Sequence, residues 1–95
     1  MKKIKTFANK ETEKIYNQEY VKSISKNVQE MGLRKLIMMD AAESIQDLRI
    51  PPGNRLEKLL GDYEGKYSIR INGRYRIVFR EEESFFYDVK IEDYH

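Results

Sequence analysis

Between Tyr67 and Ile91 apolar and polar residues alternate with a period of two, and no other feature constrains the fold as strongly. One parity carries Tyr67, Ile69 and Ile71, then Tyr75, Ile77 and Phe79, then Phe85, Tyr87, Val89 and Ile91. The other carries Ser68, Arg70, Arg74, Arg76, Val78 and Arg80, then Phe86, Asp88, Lys90 and Glu92. Side chains of a strand point alternately to its two faces, so this pattern predicts three strands, over 67–71, 75–80 and 85–91. One face supplies a core and the other gathers the arginines. Asn72-Gly73 has the composition of a two-residue hairpin turn, but that turn would set Ile71 opposite Arg74 and Ile69 opposite Arg76. Pairing Ile71 with Tyr75 keeps each face uniform, which requires a longer loop or a bulge.

The first half has a helical period instead. After a short start over 4–7, Asn9 is placed to cap a helix over 10–16, with Glu11 and Glu13 in its first turn. Ser25 is placed to cap a longer helix running to about Asp40. Val28, Met31, Leu36 and Met39, with Leu33 and Ile37 beside them, give it a broad apolar face. Gly32 inside that helix costs roughly 1 kcal/mol relative to alanine. Pro51-Pro52-Gly53-Asn54 stops any helix, and a short strand over 55–60 precedes a turn at Gly61-Asp62. The expected architecture is therefore α+β. Two N-terminal helices pack on one face of a mainly antiparallel, roughly four-stranded twisted sheet, and the arginine face stays open.

With 95 residues the chain has room for one core, and residues 1–95 are expected to form a single domain. The absence of cysteine removes disulfides, thiolate metal sites and thiol catalysis, and a single histidine removes a multi-histidine metal site. No metal or cofactor is expected. The longest apolar run, Leu36 to Met39, is too short to span a bilayer, and no signal-peptide pattern opens the chain; a cytoplasmic location without membrane contact is expected. A net charge of +2 says little by itself, but from Lys66 to Arg80 every charged residue is basic: Lys66, Arg70, Arg74, Arg76 and Arg80. A sheet face with these groups suits single-stranded nucleic acid, since guanidinium groups pair with phosphates and rings stack on bases. The pattern alone favours a solvated face whose arginines pair with Glu81, Glu82, Glu83 or Asp88.

The run Asp93-Tyr94-His95 gathers a carboxylate, a phenol and the sole imidazole beyond the last strand. Metal-free RNA cleavage needs a base for the 2′-hydroxyl, an acid for the leaving 5′-oxygen and cations for the phosphorane charge. His95 can be base or acid, Tyr94 can orient or donate, Asp93 can hold the imidazole, and Arg76 can bind phosphoryl oxygens. A solvated, frayed end accounts for the same three residues.

Several motifs carry a family resemblance along nearly the whole chain. They are Ile4-Lys5-Thr6-Phe7, Asp40-Ala41-Ala42-Glu43-Ser44, Leu48-Arg49-Ile50-Pro51-Pro52-Gly53-Asn54-Arg55-Leu56-Glu57, and Gly61-Asp62. Tyr67-Ser68-Ile69-Arg70-Ile71-Asn72, Tyr75-Arg76-Ile77-Val78-Phe79, Tyr87-Asp88-Val89 and the final Glu92-Asp93-Tyr94-His95 complete the set. In this order the sequence resembles the HigB-type toxins of the RelE/ParE superfamily. That resemblance implies a RelE-like fold and ribosome-dependent endonucleolytic cleavage of messenger RNA. It implies catalytic roles for Arg76, Asp93, Tyr94 and His95. It also implies a HigA-type helix-turn-helix antitoxin as partner, with operator DNA reached only through the antitoxin complex. Lys58, Lys66, Arg70, Arg74 and Arg80 are then the candidate RNA-binding residues.

Two positions depart from the family pattern. Some relatives carry a histidine where Glu57 stands, and a basic residue often precedes the Gly-Asp pair, where Leu60 stands. Either Glu57 substitutes as proton acceptor or the toxin is slow, and Lys58 replaces the missing charge only if its strand is bulged. Two other readings stay open: a non-catalytic member that binds RNA or a protein, and a ParE-like sibling directed at DNA gyrase.

Overall fold

A computed structural model describes residues 2–93. Asn9 caps α1 (Lys10–Tyr16), its Oδ1 accepting from the Thr12 amide at 2.9 Å. Ser25 caps α2 (Lys26–Ala41) in the same way through Val28 N. Both helix starts fall where the capping residues put them. Four strands come next, β1 (Glu57–Lys58), β2 (Lys66–Arg70), β3 (Tyr75–Glu82) and β4 (Phe85–Asp93), joined as an antiparallel meander in chain order. The N-terminal segment adds an irregular parallel edge to β4, bridging Ile4 to Phe86 and Phe7 to Val89. The two-helix, four-stranded α+β architecture is the expected one.

Ile15, Val28, Leu36 and Met39 pack with Ile69, Ile71, Ile77, Phe79, Val89 and Ile91 in the main core, on the expected sheet face. Ile37 does not join them; it is 54% exposed on the outer side of α2. Gly32 takes the close contact instead: a Cβ there would lie 3.0 Å from Ile91 Cδ1, so the glycine lets α2 approach β4. Thr12 ties α1 to the same strand, its Oγ1 accepting from Ile91 N at 2.8 Å inside the core.

The β2–β3 loop resolves the conflict at Asn72-Gly73 in favour of uniform faces. Ile71 N donates to Tyr75 O and Arg70 pairs with Arg76, while Asn72 Oδ1 accepts from the amides of Arg74 and Tyr75. A side chain that satisfies two loop amides stabilises the longer turn.

In β4 the alternation misleads. Val78 pairs with Lys90 but Arg80 pairs with Tyr87, so two β4 residues, Asp88 and Val89, oppose Phe79 alone. Asp88 takes the extra position with φ of 53°. A bulge reverses the facing of everything before it. Phe86, expected outside, is fully buried and meets Phe79 edge-on, whereas Tyr87, expected inside, lies against the Arg80 guanidinium on the other face.

The face away from the helices is also less open than expected. Ser68 and Val78 are buried there, and Leu59 is buried outside the main core cluster. The 59–65 connection folds over this middle strip, with Tyr63 donating its hydroxyl hydrogen to Glu92 Oε2 of β4 at 2.9 Å. Among the described residues no helix is long and apolar enough to cross a membrane.

Candidate active site

Arg76 is the best-held cation of the sheet. It stands opposite Arg70 on β2 and Glu92 on β4. Its Nε donates to Ser68 Oγ at 2.8 Å, and its Nη2 donates to Arg55 O at 2.8 Å and meets Glu57 Oε1 at 3.1 Å. Only 11% of its side chain is exposed. A desolvated guanidinium is tolerated when its donors are spoken for, and these partners fix the plane of the fork.

The Arg55 carbonyl is itself positioned from a distance. Pro52–Asn54 forms a 3-10 turn, and Arg55 closes it in the left-handed region with φ of 45°. Asn54, fully buried, donates from Nδ2 to Leu48 O at 3.1 Å and contacts Met38 S, and Lys35 Nζ donates to its Oδ1. Burial pushes the Lys35 ammonium pKa below its usual value. Helix α2 thus braces the turn that braces Arg76.

Beside Arg76 lies a concavity of about 260 Å³ lined by Arg55, Arg70, Asn72, Gly73 and Arg76, with no acid among the described residues of its wall. Arg70 Nε donates to Asn72 O at 3.1 Å, which turns its guanidinium over the loop.

The other predicted residues are distributed around this centre. Asp93 partners Tyr75, not Arg76, in the strand register, and its carboxylate is held bidentately by Arg74 at 2.8 and 2.6 Å. That contact raises the pKa of Arg74 above its ordinary value. Glu57 shares the face of Arg76, but Lys58 partners Tyr67 and so falls by alternation on the helix side. Lys66 pairs with Arg80 about 13 Å along the ladder from Arg70 and Arg76, beyond the covered Ser68–Val78 strip. Lys66 Nζ sits over the Tyr63 ring, and Arg80 is engaged by Asp88, Glu82 and the Tyr87 ring. The single basic track foreseen along the sheet is therefore two clusters. Tyr94 and His95 lie outside the described residues.

Arg55 and Ser68 escaped the sequence reading. Arg55 lies in a turn, outside any alternating pattern, and its proximity to Arg76 is a tertiary fact; Ser68 sat on the correct face but carried no charge to mark it. Among the described residues no group of three or more metal-ligating side chains is assembled.

Two helices over one face of a β-meander, with a cation-walled hollow on the other, define a small RelE-like α+β protein. A chain of the YoeB–YefM complex from Staphylococcus aureus has this fold, with a TM-score of 0.55 over 97% of both chains at 18% sequence identity. A family described as the RelE-like toxin of the type II toxin–antitoxin system HigB matches residues 5–95, and the chain belongs to that HigB-like toxin family. It is 47% identical over 57 residues to Toxin HigB-1 of Vibrio cholerae serotype O1, covering 60% of each chain. It is also 47% identical over 62 residues to an uncharacterized protein of Haemophilus influenzae, covering 64% of this chain and 60% of the relative. The matched segments thus span about 60% of the length of these curated relatives.

Proposed function

We infer that this toxin is a metal-independent endoribonuclease acting in the cytoplasm on messenger RNA held by the ribosome, and that a HigA-type antitoxin neutralises it. The observation that carries the reading is Arg76: a mostly buried guanidinium, held by Ser68 Oγ, Arg55 O and Glu57 Oε1 at the wall of a hollow that no described acid lines. Such a group is preorganised for the charge that develops on a phosphorane, and preorganised charge is the largest lever on this chemistry.

In the proposed reaction a base removes the 2′-hydroxyl proton and the 2′-oxygen attacks phosphorus. The bond to the 5′-oxygen breaks and an acid protonates that oxygen, leaving a 2′,3′-cyclic phosphate and a 5′-hydroxyl. Glu57 is the carboxylate in ion-pair contact with Arg76, and half of its side chain is exposed, so it is assigned as proton acceptor. The family resemblance implies catalytic roles for Tyr94 and His95; with Glu57 as base, His95 is the group left to protonate the leaving oxygen, and Tyr94 orients the phosphate or donates to it. Asp93, the third member of that run, has its carboxylate held by Arg74.

The test is induced expression of wild type beside Arg76→Ala, Tyr94→Ala and His95→Ala, scoring growth and mapping RNA ends. Wild type should arrest growth with new ends at codon boundaries, and Arg76→Ala should restore growth and remove them. If all three variants arrest growth as wild type does, the site assignment fails.

The pairing of Arg76 with Glu57 and of Arg74 with Asp93 favours a second reading, in which the cations are already neutralised and the chain binds RNA or a protein without cutting. Growth arrest with intact RNA would select it, and DNA damage under the same conditions would point to gyrase.

A further inference from the structure

We propose that Arg55 and Arg70 form a second phosphate subsite, which holds the RNA phosphate next to the one at Arg76. The proposal rests on the nuclease reading and deepens it. Arg74, Arg76 and Arg80 each meet a carboxylate, at Asp93, at Glu57, and at Asp88 and Glu82 respectively. Among the described residues Arg55 and Arg70 meet none. These two line the same hollow as Arg76, and the other described residues of its wall are Asn72 and Gly73, which bring no negative charge. Three guanidinium groups around one space repel each other, and an entering anion relieves that repulsion as it forms charge-assisted hydrogen bonds.

The local backbone supports a binding role for this corner. Arg55 is a non-glycine residue in the left-handed region, a conformation that costs roughly 1–2 kcal/mol, and its turn is locked by Asn54. Backbone held in such regions clusters at ligand sites. Arg70 is aimed by its bond to Asn72 O, and a Cβ at Gly73 would stand 3.8 Å from its Nη2. A glycine there leaves the outer edge of that guanidinium uncovered. At about 260 Å³ the hollow has room for a phosphodiester. The cluster at Lys66 and Arg80 is a poorer candidate, because Arg80 already has two carboxylates.

The experiment measures binding of a labelled RNA hexamer, blocked by 2′-deoxy substitution, to the whole chain across a salt series. Arg55→Gln and Arg70→Gln should each weaken binding roughly tenfold, the loss expected for a charge-assisted hydrogen bond. The double variant should lower the slope of log K against log salt by about 0.7, one single-strand phosphate, and should fall short of the product of the single effects because both arginines hold the same group. Gly73→Glu, which sets a carboxylate against Arg70, should reproduce the loss with both arginines intact. Lys22→Gln, an equal charge change on an exposed loop away from the hollow, should leave the slope unchanged.

In translated-RNA cleavage, Arg55→Gln should raise KM about tenfold with kcat within about twofold, whereas Arg76→Ala should lower kcat. A wild type that cuts translated RNA while Arg55→Gln, Arg70→Gln and Gly73→Glu bind and cut like it overturns the subsite and leaves the nuclease standing. A wild type that neither binds nor cuts RNA overturns both. Variants that keep RNA affinity but lose the antitoxin make the hollow a protein contact, and the subsite is then withdrawn.

Discussion

Asp40 accepts hydrogen bonds from the amides of Lys3 and Ile4 at 3.0 and 2.9 Å and from the Tyr16 phenol, so one carboxylate joins the N-terminal segment, α1 and α2. Burial, and next the hydrogen bond and charge of Asp40, push the Tyr16 pKa from 10.0 up to about 12. A folded-state pKa above the unfolded one means stability that is complete below about pH 10 and lost as pH rises through about 12. Urea midpoints of wild type and Tyr16→Phe should therefore differ most near pH 9 and converge towards pH 12; a constant gap would remove the role given to this phenol. At this scale the sequence was informative where a residue acts through its own chain neighbours. Asn9 and Ser25 are caps because a helical segment begins directly after each of them. The bridging role of Asp40 carried no such mark, since its partners lie 24 to 37 positions away. Arg55 was hidden for the same reason: the guanidinium its carbonyl braces, that of Arg76, lies 21 positions away.

Strands and turns are where pattern and structure part company. Counting parity back from Ile91 is correct until Asp88, and one inserted residue then exchanges Phe86 with its neighbours. Phe85-Phe86-Tyr87 is a run of three aromatics with no charged residue to mark the slip, so the parity set by Val89 and Ile91 carries through it unchecked. Phe86→Ala should cost about 3–5 kcal/mol, as removal of a buried aromatic does, and Phe85→Ala under about 1 kcal/mol. Equal losses in denaturant titration would restore the unbulged register. The turn before β1 makes a second test. Asn54→Ala strips partners from Lys35 and from the Leu48 carbonyl, which should lower stability by about 2–4 kcal/mol. Because Arg55 comes directly after it, kcat on translated RNA should fall as well, even at temperatures where the variant is fully folded. A stability loss with unchanged kcat would separate the brace from the site. The proline-rich sequence announced a break here, but not that a buried amide would make the break rigid.

At the scale of the molecule, the layer order, the sheet topology and the core face were legible because they arise from periodicity, and periodicity survives without coordinates. The sequence left open whether the arginine face was free or paired with acids, and the structure pairs much of it. Of the five basic residues from Lys66 to Arg80, three carry acids from β1 or β4 as partners, and Tyr63 closes the strip between the two clusters. A face so paired, on a chain of net charge +2, steers free RNA weakly, and a loosely held substrate samples in-line geometry rarely. A ribosome that presents the messenger in a fixed path would supply that geometry, and orientation alone is worth about 7–11 kcal/mol at its limit. The expected outcome is slow, strongly salt-sensitive cutting of naked RNA and rapid cutting of the same RNA during translation. Raising salt from about 50 to 200 mM should depress the first far more than the second, because counterion release governs only encounters the protein must drive by its own charge. Equal rates on naked and translated RNA at both salts would mean that the hollow at Arg76 orients its substrate unaided, and the ribosome would lose its place in the mechanism.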